Sequence, residues 1–277
     1  VGRLYDVDPE GVLVGNGSDE LLSLLMRAVI APGDAVAYAT PTYSLYDTLV
    51  ALQAARSIRI PYGPDYAIPA EMRTVDARML IVCNPNAPSG TTVPRRALED
   101  LAEARRDVLV VVDEAYADFA DENATSMGSR QPNVVVLRTL SKSYSLAGLR
   151  VGICITTPGL AAELNKVKDS YNVSRLAQAG AVAALDDQAT MLAHVAQVRA
   201  TRARLTQALA GLGFDVLPSQ TYFVLARRPG QFLLPVKEAL QRKGILVRYF
   251  ADLPDALRIT VGTDAEIDRL LEEMRRL

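Results

Sequence analysis

Short runs of Val, Ile and Leu recur through the first two-thirds of the chain, each followed by a stretch of helical periodicity. This alternation constrains the fold more than any other feature. The runs at Val12–Val14, Ala35–Ala39, Ser57–Ile60, Arg78–Cys83, Val108–Asp113, Val134–Arg138 and Val151–Thr156 are nearly continuous in apolar residues, as strands covered on both faces should be. Between them, Asp19–Ile30, Tyr43–Ala54 and Pro94–Arg105 read as helices. Parallel strands need long crossovers, and helical crossovers cover the faces of the sheet. The expectation is an α/β fold: a mainly parallel seven-stranded sheet flanked by helices. With 49% hydrophobic residues among 277, the chain can cover both faces of such a sheet.

From Leu160 the texture changes. Residues 175–211 read as long helices, closed by Gly211 and Gly213. Beyond them come strands at Asp215–Leu217 and Tyr222–Ala226, a helix at Leu234–Lys243, strands at Ile245–Val247 and Leu257–Val261, and a last helix at Asp264–Arg276. This is a smaller C-terminal α+β domain. The expected division is a large domain over 1–195, including part of the helical connector, and a small one over 196–277.

Several functions are excluded by what the chain lacks. A net charge of −2 leaves no electrostatic footprint for nucleic acid or an anionic membrane surface. Cys83, Cys154 and His194 are the only residues of their types, and they form neither a zinc set nor a disulfide framework. They read as reduced thiols and a lone histidine in a cytoplasmic protein with no metal. No apolar run approaches the ~20 residues of a membrane span. The opening VGRLYDVDPEGVLVG has no signal-peptide pattern and reads like the middle of a domain.

Four segments carry candidate chemistry. In TLSKSYSLAGLRVG, Lys142 follows a buried strand and sits among hydroxyls. Desolvation can neutralise such an amine and let it condense with a carbonyl cofactor. Thr139 and Ser141 offer hydroxyls, and Arg150 offers a fork suited to a phosphate dianion. A solvated loop with Lys and Arg would read the same way. In VLVVVDEAYADF, Asp113 ends an apolar strand at the sheet edge where ligands of open α/β sheets bind, and Tyr116 follows three residues later. A buried aspartate there calls for a cationic partner, although an Asp capping the next helix would fit as well. In GNGSDELLSLL, Ser18 and Asp19 open a helix whose free N–H groups could hold an anion, or act only as its N-cap. In ATPTYSLY, Tyr43 follows a strand end and could stack on a flat ring or simply pack.

GNGSDE, PTY, CNPNAPSG, DEAY, SKSYSLAGLR and LRITVGT together stand in the order and approximate spacing seen in pyridoxal-phosphate aminotransferases of the aspartate-aminotransferase-like fold. From about residue 5 to the C-terminus the chain most closely resembles the histidinol-phosphate aminotransferases. The resemblance implies pyridoxal 5'-phosphate as cofactor, held covalently by Lys142, which also shuttles the substrate proton. It implies Asp113 on the pyridine nitrogen, Tyr116 and Asn86 toward the phenolic oxygen, and Tyr43 on the ring. Ser18, Asp19, Thr139, Ser141 and Arg150 would surround the phosphate. Arg258 and Arg248 would take the anionic groups of the substrate. In the family an Asn occupies the position of Ala87, so Asn86 is the nearest amide and looser cofactor binding is expected.

The implied reaction moves an amino group between an amino acid, or histidinol phosphate, and a 2-oxo acid in a homodimer. An amino-acid-phosphate decarboxylase on the same fold, or a non-catalytic binding protein, are the rival readings. Family members carry several dozen residues ahead of the matched region, including an arm that covers the neighbouring subunit's site. A chain starting after them is expected to dimerise and bind cofactor but turn over slowly.

Overall fold

The computed structural model describes residues 1–277. A short helix α1 (Gly2–Tyr5) leads into β1 (Val12–Asn16), α2 (Gly17–Val29), β2 (Ala35–Thr40), α3 (Leu45–Leu52), β3 (Arg56–Pro61), β4 (Met79–Cys83), α4 (Arg95–Ala104), β5 (Leu109–Asp113), α5 (Thr125–Arg130), β6 (Val134–Thr139), β7 (Val151–Ile155) and α6 (Pro158–Val167). The strands form one seven-stranded sheet in the order β1-β7-β6-β5-β4-β2-β3. Pairing is parallel throughout β3, β2, β4, β5 and β6. Only β7 runs against its neighbours, β6 and β1. The expected mainly parallel seven-stranded sheet is therefore present.

The period of two along each strand divides the core in two. Val36, Tyr38, Met79, Ile81, Leu109, Val111, Val135 and Leu137 face one side and pack on Leu21, Leu25, Met26, Tyr46 and Val50 of α2 and α3. Ala35, Ala37, Leu80, Val82, Val110, Val112, Val134 and Val136 face the other and pack on Leu98 and Leu101 of α4 and Met127 of α5. Both faces are dry, which is why the runs in the sequence are continuous rather than alternating.

The C-terminal part contains α7 (Arg175–Asp186), α8 (Gln188–Gly211), β8 (Asp215–Val216), β9 (Phe223–Arg227), α9 (Leu234–Arg242), β10 (Arg248–Phe250), β11 (Leu253–Thr260) and α10 (Asp264–Met274). Its antiparallel sheet has the order β10-β11-β9-β8. Helix α8 serves both regions. Met191 and Val195 pack against Ile153 and Phe119 of the large region. Leu205 and Leu209 pack in the small region, against Val224, Leu257 and Ile259. Helix α10 starts on a capping box, with Thr263 and Glu266 each satisfying the other's backbone N–H.

Some expectations need correction. The strand expected at Ile245–Val247 lies at Arg248–Phe250 instead. Gly244, at φ +75°, ends the turn after α9, and Ile245 and Val247 pack on the small core without ladder bonds. The strand expected to begin at Leu257 begins at Leu253, because β10 and β11 form a hairpin whose register shifts near Phe250. Helices α1, α5 and α6 fall outside the expected helices; α1 and α5 span only four and six residues.

Candidate active site

The carboxyl ends of β4, β5 and β6 lie side by side, with Cys83 opposite Asp113 and Asp113 opposite Leu137. The chain turns outward to β3 and then returns to β4 on the other side of β2, so the strand order reverses there. Such a reversal opens a crevice above the strand ends. A cavity of about 80 Å³ occupies it. Ser18, Asp19, Tyr43, Asp113, Tyr116, Thr139, Ser141, Lys142 and Arg150 all line it.

Asp113 continues the parity of Leu109 and Val111, so its side chain points to the α2–α3 side. It is 3% exposed. Its Oδ2 accepts from Tyr46 Oη at 2.7 Å and its Oδ1 from the Ala115 N–H at 3.2 Å. Burial raises its pKa above the ordinary carboxylate range, and these two donors oppose the rise. Lys142 is half-buried on the turn after β6. Its Nζ lies 5.5 Å from the centroid of the Tyr116 ring and 5.9 Å from that of Tyr222. Burial also pushes the Tyr116 phenol far above its usual range, so it stays a donor at neutral pH.

The opposite wall is the start of α2. Gly17 sits at φ +81°, and a Cβ there would meet the Arg150 guanidinium at 2.4 Å. Gly152 of β7 is as tight, since a Cβ on it would strike the Gly17–Ser18 peptide at 2.3 Å. The two glycines let β7 and Arg150 close onto the helix N-terminus, whose free N–H groups favour an anion. Arg150 Nη2 bonds Asp19 Oδ2 at 3.2 Å. Thr139 Oγ1 bonds Ser141 Oγ at 2.9 Å and the Val151 carbonyl at 3.1 Å.

A second cavity of about 410 Å³ shares Tyr43 with the first and is lined by Arg248 and Arg258. Arg248 pairs with Arg258 across the β10–β11 ladder, and Arg258 pairs with Leu225 of β9. Directly opposed residues share a face, so both guanidinium groups leave the same side of the small sheet. Phe250 lies 5.4 Å from Arg248 Cζ and 5.7 Å from Arg258 Cζ, and Phe223 is 4.8 Å from Arg258 Cζ.

Asn86 is not brought to the first cavity. It is buried, and its amide donates to the Pro41 carbonyl at 3.1 Å and Ser89 Oγ at 2.8 Å. Its Oδ1 accepts from Thr42 Oγ1 at 2.9 Å. Its hydrogen-bonding capacity is spent on holding the loop. Ala87 is 3% exposed and packs against Tyr116 and Phe223. Four residues near the site escaped the sequence reading: Tyr46, Cys83, Tyr222 and Phe250. Tyr46 stands three residues after Tyr43, a helical spacing that puts both on one face and could have revealed it.

A family profile described as aminotransferase class I and II matches residues 2–274. The chain belongs to the class I and II aminotransferase family. This aminotransferase is 45% identical over 272 residues to the histidinol-phosphate aminotransferase of Syntrophotalea carbinolica, covering 98% of the chain and 78% of that relative. It is 43% identical over 270 residues to the histidinol-phosphate aminotransferase of Synechocystis sp., covering 97% and 77%. Among solved structures, the histidinol-phosphate aminotransferase of Sinorhizobium meliloti in complex with pyridoxal-5'-phosphate superposes with a TM-score of 0.89 at 30% identity, over 99% of the aminotransferase and 80% of that chain.

Proposed function

We propose that this aminotransferase exchanges an amino group between a phosphorylated amino substrate of the histidinol phosphate type and a 2-oxo acid. The reaction class and the cofactor, pyridoxal 5'-phosphate, come with the family. The substrate class rests on one observation: two arginines paired across a ladder in a cavity that adjoins the lysine cleft.

The donor set of the cleft suits the cofactor. A helix N-terminus, the hydroxyls of Ser18, Thr139 and Ser141, and Arg150 supply an anion seat, Asp113 a buried carboxylate, and Lys142 an amine beside two aromatic rings. When bound, the cofactor supplies the electron sink that makes the substrate's α-proton acidic. Lys142 would hold the cofactor's carbonyl carbon and, once released by the amino donor, carry the α-proton as general base and acid. Asp113 would pair with the protonated pyridine nitrogen, Tyr116 would donate to the phenolic oxygen, and Tyr43 would cover the ring. Ser18, Asp19, Thr139, Ser141 and Arg150 would surround the phosphate, with Asp19 acting through Arg150 rather than on the anion itself. Arg258 and Arg248 would take the substrate's anionic end, where a guanidinium fork suits phosphate and carboxylate alike.

The division near residue 195, within α8, is proposed as the boundary between a cofactor domain and a small domain. A homodimer is proposed as the working unit, supported by the exposed Tyr171, Leu176, Val182 and Leu192 around α7 and α8. A cytoplasmic location is proposed with it, and no helix is long and apolar enough to cross a membrane.

The test is a half-reaction screen. The loaded protein is mixed separately with histidinol phosphate, histidinol and phenylalanine, and the cofactor spectrum and products are followed. Histidinol phosphate should react fastest. Arg248→Ala should remove that preference, whereas Arg258→Ala should raise KM for every anionic substrate. Release of carbon dioxide from an amino-acid phosphate would favour a decarboxylase, and equal rates with all three amines would refute the substrate reading.

A further inference from the structure

β5 ends in two adjacent carboxylates, both nearly inaccessible, with different partners. Glu114 is met by the Arg138 guanidinium at 2.9 Å. Asp113 makes no salt bridge and receives only neutral donors: the Tyr46 phenol at 2.7 Å and the Ala115 N–H at 3.2 Å. Tyr46 has no exposed surface. Its ring is held edge-on between Tyr38 and Tyr43, with both centroids 5.7 Å away, so the phenol has little freedom to turn from the carboxylate.

We propose that Tyr46 is a positioning residue for the transamination reaction: its phenol holds Asp113 as a carboxylate facing the cleft without neutralising its charge. This rests on the reading of Asp113 as the partner of the cofactor's ring nitrogen. A partner for a cationic ring must be ionised when the ring arrives. Burial favours the protonated form of Asp113, and an arginine like that beside Glu114 would oppose this but satisfy the charge in advance. A phenol opposes it without satisfying the charge, because it stabilises the anion by donation and carries no charge.

The other groups facing Asp113 do not substitute for it. Asp19 from α2 opposes ionisation, whereas Lys142 from the turn after β6 favours it from a distance. Cys83 of β4 is itself driven up to about 12 by burial and then by Asp113, so it stays a thiol. Tyr43, ahead of α3, is likewise driven to about 12 by burial and the acids Asp19 and Asp113, and Tyr116 stays protonated. Tyr46, raised well above its usual range by burial and then by Asp113, keeps its proton as well, which is what a donor needs.

The test separates this inference from the reading beneath it. Cofactor-free protein labelled with ¹³C at the aspartate carboxyls is titrated by NMR, and the Asp113 signal is identified by its loss in Asp113→Asn. A hydrogen bond to a carboxylate corresponds to about one to two pKa units. Tyr46→Phe, which keeps the ring and its packing, should raise the Asp113 midpoint by about that much. Replacing Tyr46 with 3-fluorotyrosine, a stronger donor of nearly the same size, should lower it. In the loaded enzyme Tyr46→Phe should lower kcat more than it raises KM and shift the pH profile of kcat with the same sign. An unchanged Asp113 midpoint in Tyr46→Phe would overturn the inference. If Asp113→Asn left the loaded enzyme's spectrum and turnover unaltered, the reading of Asp113 would fall, whatever the Tyr46 titration showed.

Discussion

The large sheet delivers its functional groups from the ends of its strands, and the small sheet delivers them from one face. Asp113, Thr139 and Lys142 stand where β5 and β6 run out, above a sheet that is dry on both faces. Arg248 and Arg258 leave the face of the small sheet that also carries Phe223, while its other face packs through Leu257 and Ile259 on α8 and α10. Charge follows the same division. Glu114 and Arg138 at the end of the large sheet are 1% and 4% exposed. Arg204 of α8, which bridges Asp264 and Asp268 of α10, lies in solvent. A doubly covered sheet can carry chemistry only at its edges, because any polar group within it would need a buried partner. On the small sheet the buried Phe223 and Leu225 share the arginines' face, so charge stands only where that face opens, on β10 and near the end of β11.

The largest test of that contrast is Lys142→Ala. It removes a half-buried group on the turn after β6 that belongs to neither face of the large sheet, so kcat should fall by about 10³-fold or more while the melting temperature stays near that of the parent. Borohydride reduction of the loaded parent should label Lys142 and neither Lys166 nor Lys168. A label on either of those would move the cofactor away from the edge of the large sheet.

The next largest is Glu114→Gln. It breaks a buried pair, and the cost of leaving a buried charge uncompensated is about 3–5 kcal/mol. Burial opposes the charge of Arg138, but the acids Asp118 and Glu114 outweigh it and hold the guanidinium charged. Because Asp118 remains as a partner, a loss near the lower end of that range is expected from denaturant unfolding. A loss under ~1 kcal/mol would mean that the pair is hydrated and the edge is not dry.

Asp113→Asn should have a smaller effect on stability, with the opposite sign. A carboxyl whose pKa is raised in the fold contributes stability below its unfolded pKa of about 3.9 and loses it as pH rises through the folded value. At pH 7 the carboxylate therefore weighs against the cofactor-free fold. The Asn variant should melt higher than the parent at pH 7, and the difference should close toward pH 4. A variant that melts lower at pH 7 would show that the carboxylate is compensated without the cofactor.

The smallest effect is expected from Arg204→Ala. Its two acidic partners are solvent-exposed, and such pairs contribute less than about 1 kcal/mol. Urea unfolding should register little change, and the remaining effect should shrink in high salt. A loss comparable to that of Glu114→Gln would erase the difference between the two regions.

The alternation of apolar runs and helical stretches and the seven strands were legible from sequence, whereas the candidate cleft residues stood out only through the family resemblance. The strands depend on local pattern, continuous apolar runs for covered strands, whereas the pair of acids after the Val110–Val112 run and the lysine among hydroxyls also fit a helix cap and a solvated loop. The β10 strand was misplaced because Ile245 and Val247 are apolar for packing, not for pairing, and only the ladder tells these apart. Phe250 gave no signal, and Arg248 and Arg258 were read only through the family resemblance, since an arginine in a short strand looks like any exposed position until the register of the hairpin is known. Asn86 looked available because sequence adjacency says nothing about where an amide is spent.

Sequence by itself determined that this chain would build a covered parallel sheet, because burial on two faces leaves a plain mark in residue type. Tertiary structure alone decided which donor meets Asp113. Tyr46 and Asp113 are 67 positions apart. Their bond exists because α3 packs on the face to which β5 turns its odd-numbered residues, and a hydrogen bond forms or fails over a few tenths of an ångström.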